Sequence, residues 1–231
     1  AETFVATAKS NLEKVAIIEA KTGESITFKE LNQKSDSYVD YLSRKGVKQG
    51  EVVILMVKPS IDFICLTLAL FKLGTPVVLI DPGMGFKNLL RCIERVAPDY
   101  LIGIPKAILF SRLFPKPFAS LKKRFCAGRS FAILGEDITR NLEIPLVEPK
   151  VYVPQEEDLA AIIFTTGSTG PPKGVRYEHS IFAAQLDLIR QHYQIGDKDI
   201  DQPAFPLFAL FSTALGACAI IPDMDPTKPA Q

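Results

Sequence analysis

The chain has 231 residues, 47% of them hydrophobic and 23% charged, with a net charge of +1. That length can bury a sizeable core in one large domain or two smaller ones, and the apolar content excludes a disordered chain. Lys and Arg total 27 against 26 Asp and Glu, which argues against a dedicated nucleic-acid binder, whose affinity comes largely from neutralising phosphates.

The opening segment, AETFVATAKSN, lacks the apolar core of a secretory signal. Thr27 and Glu30 are spaced as a capping box with Ile26 and Leu31 placed as a hydrophobic staple, so a helix should begin at about Phe28. Gly46 should stop it. Residues 52–57 form an apolar run of strand length. Ser60 can cap a second helix, apolar on most faces and ending at Gly74, and residues 76–80 read as a second buried strand. The window 61–80 is the most membrane-like in the chain, but Asp62, Lys72, Gly74 and Pro76 make it a buried helix and strand rather than a span. Asp81, Pro82 and Gly83 predict a turn. Leu89, Leu90, Ile93 and Val96 follow helical spacing up to Pro98, and residues 100–104 make a third strand. Apolar runs without polar alternation, separated by helices, predict an α/β fold with largely parallel buried sheets.

The middle of the chain differs. Between Asp99 and Glu136 no residue is acidic, while Lys106, Arg112, Lys116, Lys122, Lys123, Arg124 and Arg129 interleave with Phe110, Phe114, Phe118, Phe125 and Phe131. The bland reading of stretch 106–131 is a helix and loop whose phenylalanines enter the core while the cations face water. The sharper one is a patch for an anionic membrane surface or a partner protein. Residues 141–158, rich in Pro and Glu, read as an exposed connector between lobes at about 1–150 and 156–231, and 159–164 as a further apolar strand. Cys65, Cys92, Cys126 and Cys218 are widely spaced, mostly in apolar surroundings, and suggest buried free thiols of a cytoplasmic protein, not a zinc site or redox dithiol.

Directly after that strand comes Thr165, Thr166, Gly167, Ser168, Thr169, Gly170, Pro171, Pro172, Lys173, Gly174 and Val175. The glycines let the backbone turn its N–H groups inward, the hydroxyls are small donors, and Lys173 adds a point charge, a combination that suits a polyphosphate. It is not a Walker A loop. Pro172 stands where the second Gly would be, and Gly174 follows the lysine where Ser or Thr would bind magnesium.

Residues Thr165 through Lys173 resemble the phosphate-binding motif of the adenylate-forming synthetases, which include acyl-CoA synthetases, peptide-synthetase adenylation domains and luciferases. Every position from Ile162 to Lys173 fits that pattern. The segment from Ile26 to Asn32 is similar to the family's first motif and that from Ala69 to Pro82 to its second, while His179 stands where the family usually keeps a histidine. The resemblance implies a reaction in which ATP and a carboxylate give an acyl-adenylate and pyrophosphate. Thr165, Thr166, Ser168 and Thr169, with the N–H groups of Gly167 and Gly170, would hold the β- and γ-phosphates, Mg²⁺ would be shared among the phosphate oxygens, and Lys173 would stabilise the leaving pyrophosphate. No catalytic residue and no metal ligand is assigned within the chain itself. For His179, capping the helix that begins near Ser180 and contacting a ligand are both open; His192 reads as a surface or helix-end residue.

The segment Phe205 to Phe211 resembles the family's fourth motif, which lines the acyl pocket, so Phe208, Ala209 and Leu210 are the implied substrate contacts. None of the seven is acidic, which disfavours an amino-acid substrate with its cation to be paired. Ala209 stands where acyl-CoA synthetases often have histidine, which puts the usual gating of the CoA half-reaction in doubt without excluding that reaction. With Ala214 to Gly216 and Ile221 to Thr227, the segment looks like the β-lactone synthetases of olefin biosynthesis, which adenylate a long-chain β-hydroxy acid; a fatty-acid–CoA ligase or acyl-AMP ligase is the alternative. Family members are about twice as long, so the chain is expected to be the front part of the AMP-binding large domain, without the C-terminal domain. Alone it is expected to be inactive, and a non-catalytic phosphate-binding or interaction module is the contrasting possibility.

Overall fold

The computed structural model describes residues 1–129, 134–135, 137–140, 142–165 and 172–223. Two sheets organise it. The larger has the order β6–β5–β3–β4–β7–β8, formed by β3 (Val53–Met56), β4 (Val77–Ile80), β5 (Tyr100–Gly103), β6 (Lys123–Cys126), β7 (Leu159–Thr165) and β8 (Lys173–Glu178). All its pairs are parallel except the hairpin of β7 and β8. The smaller has the order β2–β1–β10–β9, from β1 (Val15–Glu19), β2 (Ser25–Thr27), β9 (Ile200–Asp201) and β10 (Cys218–Ile221). The connector at 141–158 does not separate the sheets: each takes strands from both sides of it.

The helices explain why the strands are apolar on both faces. Val53, Leu55, Val77, Leu79 and Ile102 point into one core with α2 (Phe28–Arg44), α3 (Ile61–Leu73) and the smaller sheet's Ile17, Ala219 and Ile221. Ile54, Val78, Leu101 and Phe164 point the other way, onto α4 (Phe86–Val96) and α5 (Pro105–Leu113). Helices α2 and α3 therefore lie between two sheets. Three further α-helices, α1 (Glu2–Ser10), α6 (His179–Tyr193) and α7 (Ala209–Ala214), and short 3-10 turns at Pro82–Met84 and Pro206–Phe208 complete the described elements.

The local signals act as expected. The Thr27 hydroxyl accepts from the Glu30 N–H at 3.2 Å and the Glu30 carboxylate from the Thr27 N–H at 2.9 Å, satisfying two otherwise orphaned donors at the start of α2. Ser60 caps α3 by accepting from Phe63 N–H at 3.1 Å, and Gly74 ends it in the left-handed conformation. A Cβ on Gly74 would also lie 2.6 Å from the Tyr152 ring, so both backbone and packing demand glycine there.

Within this apolar helix Lys72 is 1% exposed. Its Nζ donates to Asp36 Oδ1 and Ser35 Oγ, each at 2.7 Å, and to Asn32 Oδ1 at 2.8 Å. Burial pulls the Lys72 ammonium below its ordinary pKa and lifts the Asp36 carboxyl above its own; their attraction opposes both shifts. No described helix is long and apolar enough to cross a membrane. In the basic middle Phe118 and Phe125 are buried, as the bland reading expects, Phe110 and Phe114 are half-buried, and Phe131 lies outside the described residues. One element there is unexpected. Lys123–Cys126 forms β6, an edge strand whose charges hide it in the sequence and whose pairing with β5 creates it. All four cysteines are buried, and none of them forms a disulfide.

Candidate functional site at the carboxyl edge of the larger sheet

Met56, Ile80, Gly103 and Thr165 end neighbouring parallel strands at one edge of the larger sheet, and α3, α4 and α5 begin just beyond it. Ligands of open α/β sheets gather at this edge, where helix N-termini present unsatisfied N–H groups. Strand β7 is buried on the sheet and leads directly to the hydroxyl-rich segment. Thr166, Gly167, Ser168, Thr169 and Gly170 lie outside the described residues, but both flanks are placed. Thr165 pairs directly with Lys173 across the hairpin, and both are exposed. Directly opposed residues of an antiparallel pair share a face, so a hydroxyl and an ammonium flank the same side of the loop. That donor set suits phosphate oxygens.

The base of the hairpin is held by contacts that the sequence reading did not include. Gly174 pairs with Phe164, and a Cβ on it would meet that ring at 3.0 Å, so glycine lets the strands close over Phe164. Just before β7, the Tyr152 hydroxyl donates to the Asp158 carboxylate, which also accepts from the Gln155 N–H at 2.6 Å. The Tyr152 bond, first among these, holds the Asp158 carboxyl below its usual range. Tyr152 is itself tied to α3 by its N–H, 2.8 Å from the Lys72 carbonyl. The signal for these contacts is long-range packing, which spacing along the chain does not carry.

His179 opens α6 directly after β8. It does not cap that helix: Glu178 holds the cap position without a side-chain bond, and the imidazole instead packs on Phe71 and Tyr152, with ring centroids 5.6 and 6.4 Å away. Burial pushes its pKa down to about 4, so it is neutral near pH 7. Its backbone N–H donates to the Asp158 carbonyl at 3.0 Å, which joins the start of β7 to the end of β8. His192 is exposed in the last turn of α6, beside Tyr193, as a helix-end residue should be.

A groove of about 550 Å³ runs between α6 and α7, with Leu188, Ile189, Tyr193, Phe208, Phe211 and Leu215 among its walls. Its polar side chains include Asp201 and Ser212, whose hydroxyl donates to the Asp201 carboxylate. Phe208, Phe211, Ser212 and Leu215 follow helical spacing and share the face toward the groove. Ala209 and Leu210 lie on the opposite side of α7 and are buried in the core shared with α3. Of the three expected substrate contacts, only Phe208 lines the groove.

Comparison with known proteins places these features in context. The family described as "AMP-binding enzyme" matches residues 4–223. An olefin beta-lactone synthetase of Stenotrophomonas maltophilia is 39% identical over 209 residues, which cover 90% of this chain and 38% of that protein. A peroxisomal OPC-8:0-CoA ligase of Arabidopsis thaliana is 28% identical, over 94% of this chain and 40% of that protein. Among solved structures, the inhibitor-bound N-terminal domain of FACL13 from Mycobacterium tuberculosis superposes with a TM-score of 0.82 at 23% identity, covering 98% of this chain and 57% of that one. That likeness shows the fold. The chain thus spans about two fifths of the length of these curated relatives.

Proposed function

The chain belongs to the AMP-binding enzymes, and on that premise we propose that it carries the phosphate-binding half of a site that joins a carboxylate to ATP, giving acyl-AMP and pyrophosphate. The supporting observation is the position of the hairpin: its hydroxyl-rich loop leaves a buried strand at the ligand edge, with Thr165 and Lys173 flanking one side. The substrate carboxylate is the nucleophile, so the protein's task is to orient phosphates and neutralise charge. In this reading Thr165, Thr166, Ser168 and Thr169, with the N–H groups of Gly167 and Gly170, hold the β- and γ-phosphates, and Lys173 stabilises the leaving pyrophosphate. A Mg²⁺ shared among the phosphate oxygens would offset part of their charge. Loss of one such contact costs about 1–3 kcal/mol.

The acid we propose is a long-chain fatty acid, with a β-hydroxy acid as the preferred form. The apolar groove beside Phe208 suits an alkyl chain, Ala209 and Leu210 anchor α7 behind it, and Asp201 with Ser212 supplies a polar point that a substrate hydroxyl can meet. The likeness to olefin beta-lactone synthetases supports this form; closure of the acyl-adenylate to a β-lactone follows from it, and transfer to CoA is the alternative fate. The test is ATP–pyrophosphate exchange with long-chain acids, with and without a 3-hydroxyl, in the full-length protein. Exchange that needs the acid and falls at least about tenfold in Lys173→Ala is expected. Exchange unaffected by Lys173→Ala sinks the assignment of the loop.

A further inference from the structure

The outer face of α4 and α5 carries apolar surface that no described residue covers. Phe86, the first residue of α4, is 48% exposed, and Leu109 and Leu113 of α5 are 48% and 65% exposed. Leu109 and Leu113 are four residues apart and point the same way. The patch is anchored from below: the Phe86 ring packs edge-on against Phe110 and Phe114 at 5.1 and 4.8 Å, and Phe110 packs on buried Phe118 at 5.9 Å. Lys87, Arg91, Lys106 and Lys116, all exposed, belong to the same two helices and the turn that follows. Among the described residues 81–116 the carboxylates are Glu94, 3.8 Å from Lys116, Asp81, which accepts from the Gly83 N–H before α4, and Asp99, paired with Lys122 at 2.8 Å.

We propose that this α4–α5 face docks on an anionic lipid bilayer, with Phe86, Leu109 and Leu113 entering the boundary between headgroups and acyl chains. The excess of cations makes the face complementary to an anionic partner, and long Lys and Arg stems reach phosphates while apolar neighbours sink past them. An exposed helical surface whose apolar side chains carry no hydrogen-bonding group fits a fluid interface, which demands no matching shape. Both helices start at the sheet edge that holds the hairpin, so docking brings that edge close to the membrane surface. The proposal stands apart from the acyl-adenylate reading, since it concerns a surface that the reading does not use.

Vesicle cosedimentation of the purified protein tests it. The protein is expected to pellet with vesicles of phosphatidylcholine and phosphatidylglycerol, to stay in solution with phosphatidylcholine alone, and to be released by high salt. Leu109→Asp with Leu113→Asp, and separately Lys106→Gln with Lys116→Gln, should each weaken binding on the order of tenfold. These side chains are exposed, and an unchanged circular dichroism spectrum and Tm would confirm that the variants fold. No pelleting, equal pelleting with neutral vesicles, or wild-type binding by both variants overturns the proposal. So does a concentration-dependent dimer that Leu113→Asp dissolves in a protein that ignores vesicles, which would make the face an interface between copies of the chain.

Discussion

Helices α3 and α6 each follow a strand of the larger sheet, yet they have opposite fates. In α3 every residue except Asp62 and Leu73 is buried, whereas in α6 only Leu186 is. The first lies between two sheets and must bury all its faces; the second packs on one side and leaves Leu188 and Tyr193 exposed along the groove. The contrast separates scaffold from working surface. In α3 even a lysine is enclosed and must be paired, while α6 keeps its apolar side chains available at little cost to the fold.

The sharpest way to break this contrast is through the enclosed ion pair. Asp36→Ala leaves Lys72 buried without its counter-ion and should cost about 3–5 kcal/mol in urea denaturation. The double variant Asp36→Leu with Lys72→Met should recover most of that loss, and an equal loss in single and double variants would show that packing rather than charge governs the site. Next in size, Gly74→Ala forces a side chain into a left-handed position, at about 1–3 kcal/mol, in addition to its collision with the Tyr152 ring. Tyr152→Ala in that background should remove the collision but not the backbone strain.

His179, at the start of α6, tests where the two regimes meet. Its folded pKa of about 4 lies below the ordinary value near 6.5, so the unfolded chain binds the extra proton first as pH falls. Its contribution is complete above about pH 6.5 and is lost as pH falls toward 4, on the order of 1–2 kcal/mol after allowance for partial exposure. The slope of stability against pH over that window should flatten in His179→Gln, and a titration of the imidazole by NMR at its ordinary value would contradict the packing. The smallest expected effect is on α6 itself. Leu188→Asp should change Tm by no more than an exposed substitution does, about 0.5 kcal/mol or less, while weakening retention of a long acyl chain. A large fall in Tm would mean that the groove is structural core.

Much of this architecture was legible because its signals are local. The Thr27–Glu30 box, the Ser60 cap and the left-handed Gly74 act within a few residues, and the unbroken apolar strands announced a sheet covered on both faces. The hydroxyl-rich loop was legible for the same reason, as a run of small donors and one lysine directly after a strand. Other features were not. Lys72 looked only like a residue too polar for a membrane, since its partner Asp36 is 36 residues away. His179 looked equally able to cap a helix, and only Phe71 and Tyr152, brought in by tertiary packing, decided otherwise.

From sequence alone came the α/β class, the order of most elements, the hydroxyl-rich loop after its strand and the family resemblance, because hydrophobic period, caps and motif spacing are properties of neighbouring residues. Tertiary structure alone decided that both sheets interleave strands from either side of the connector, that Lys123–Cys126 is an edge strand, that Phe208 faces a groove while Ala209 and Leu210 turn inward, and that α5 keeps Leu109 and Leu113 outside. Each of those depends on which distant surface a face meets, and no local pattern contains that information.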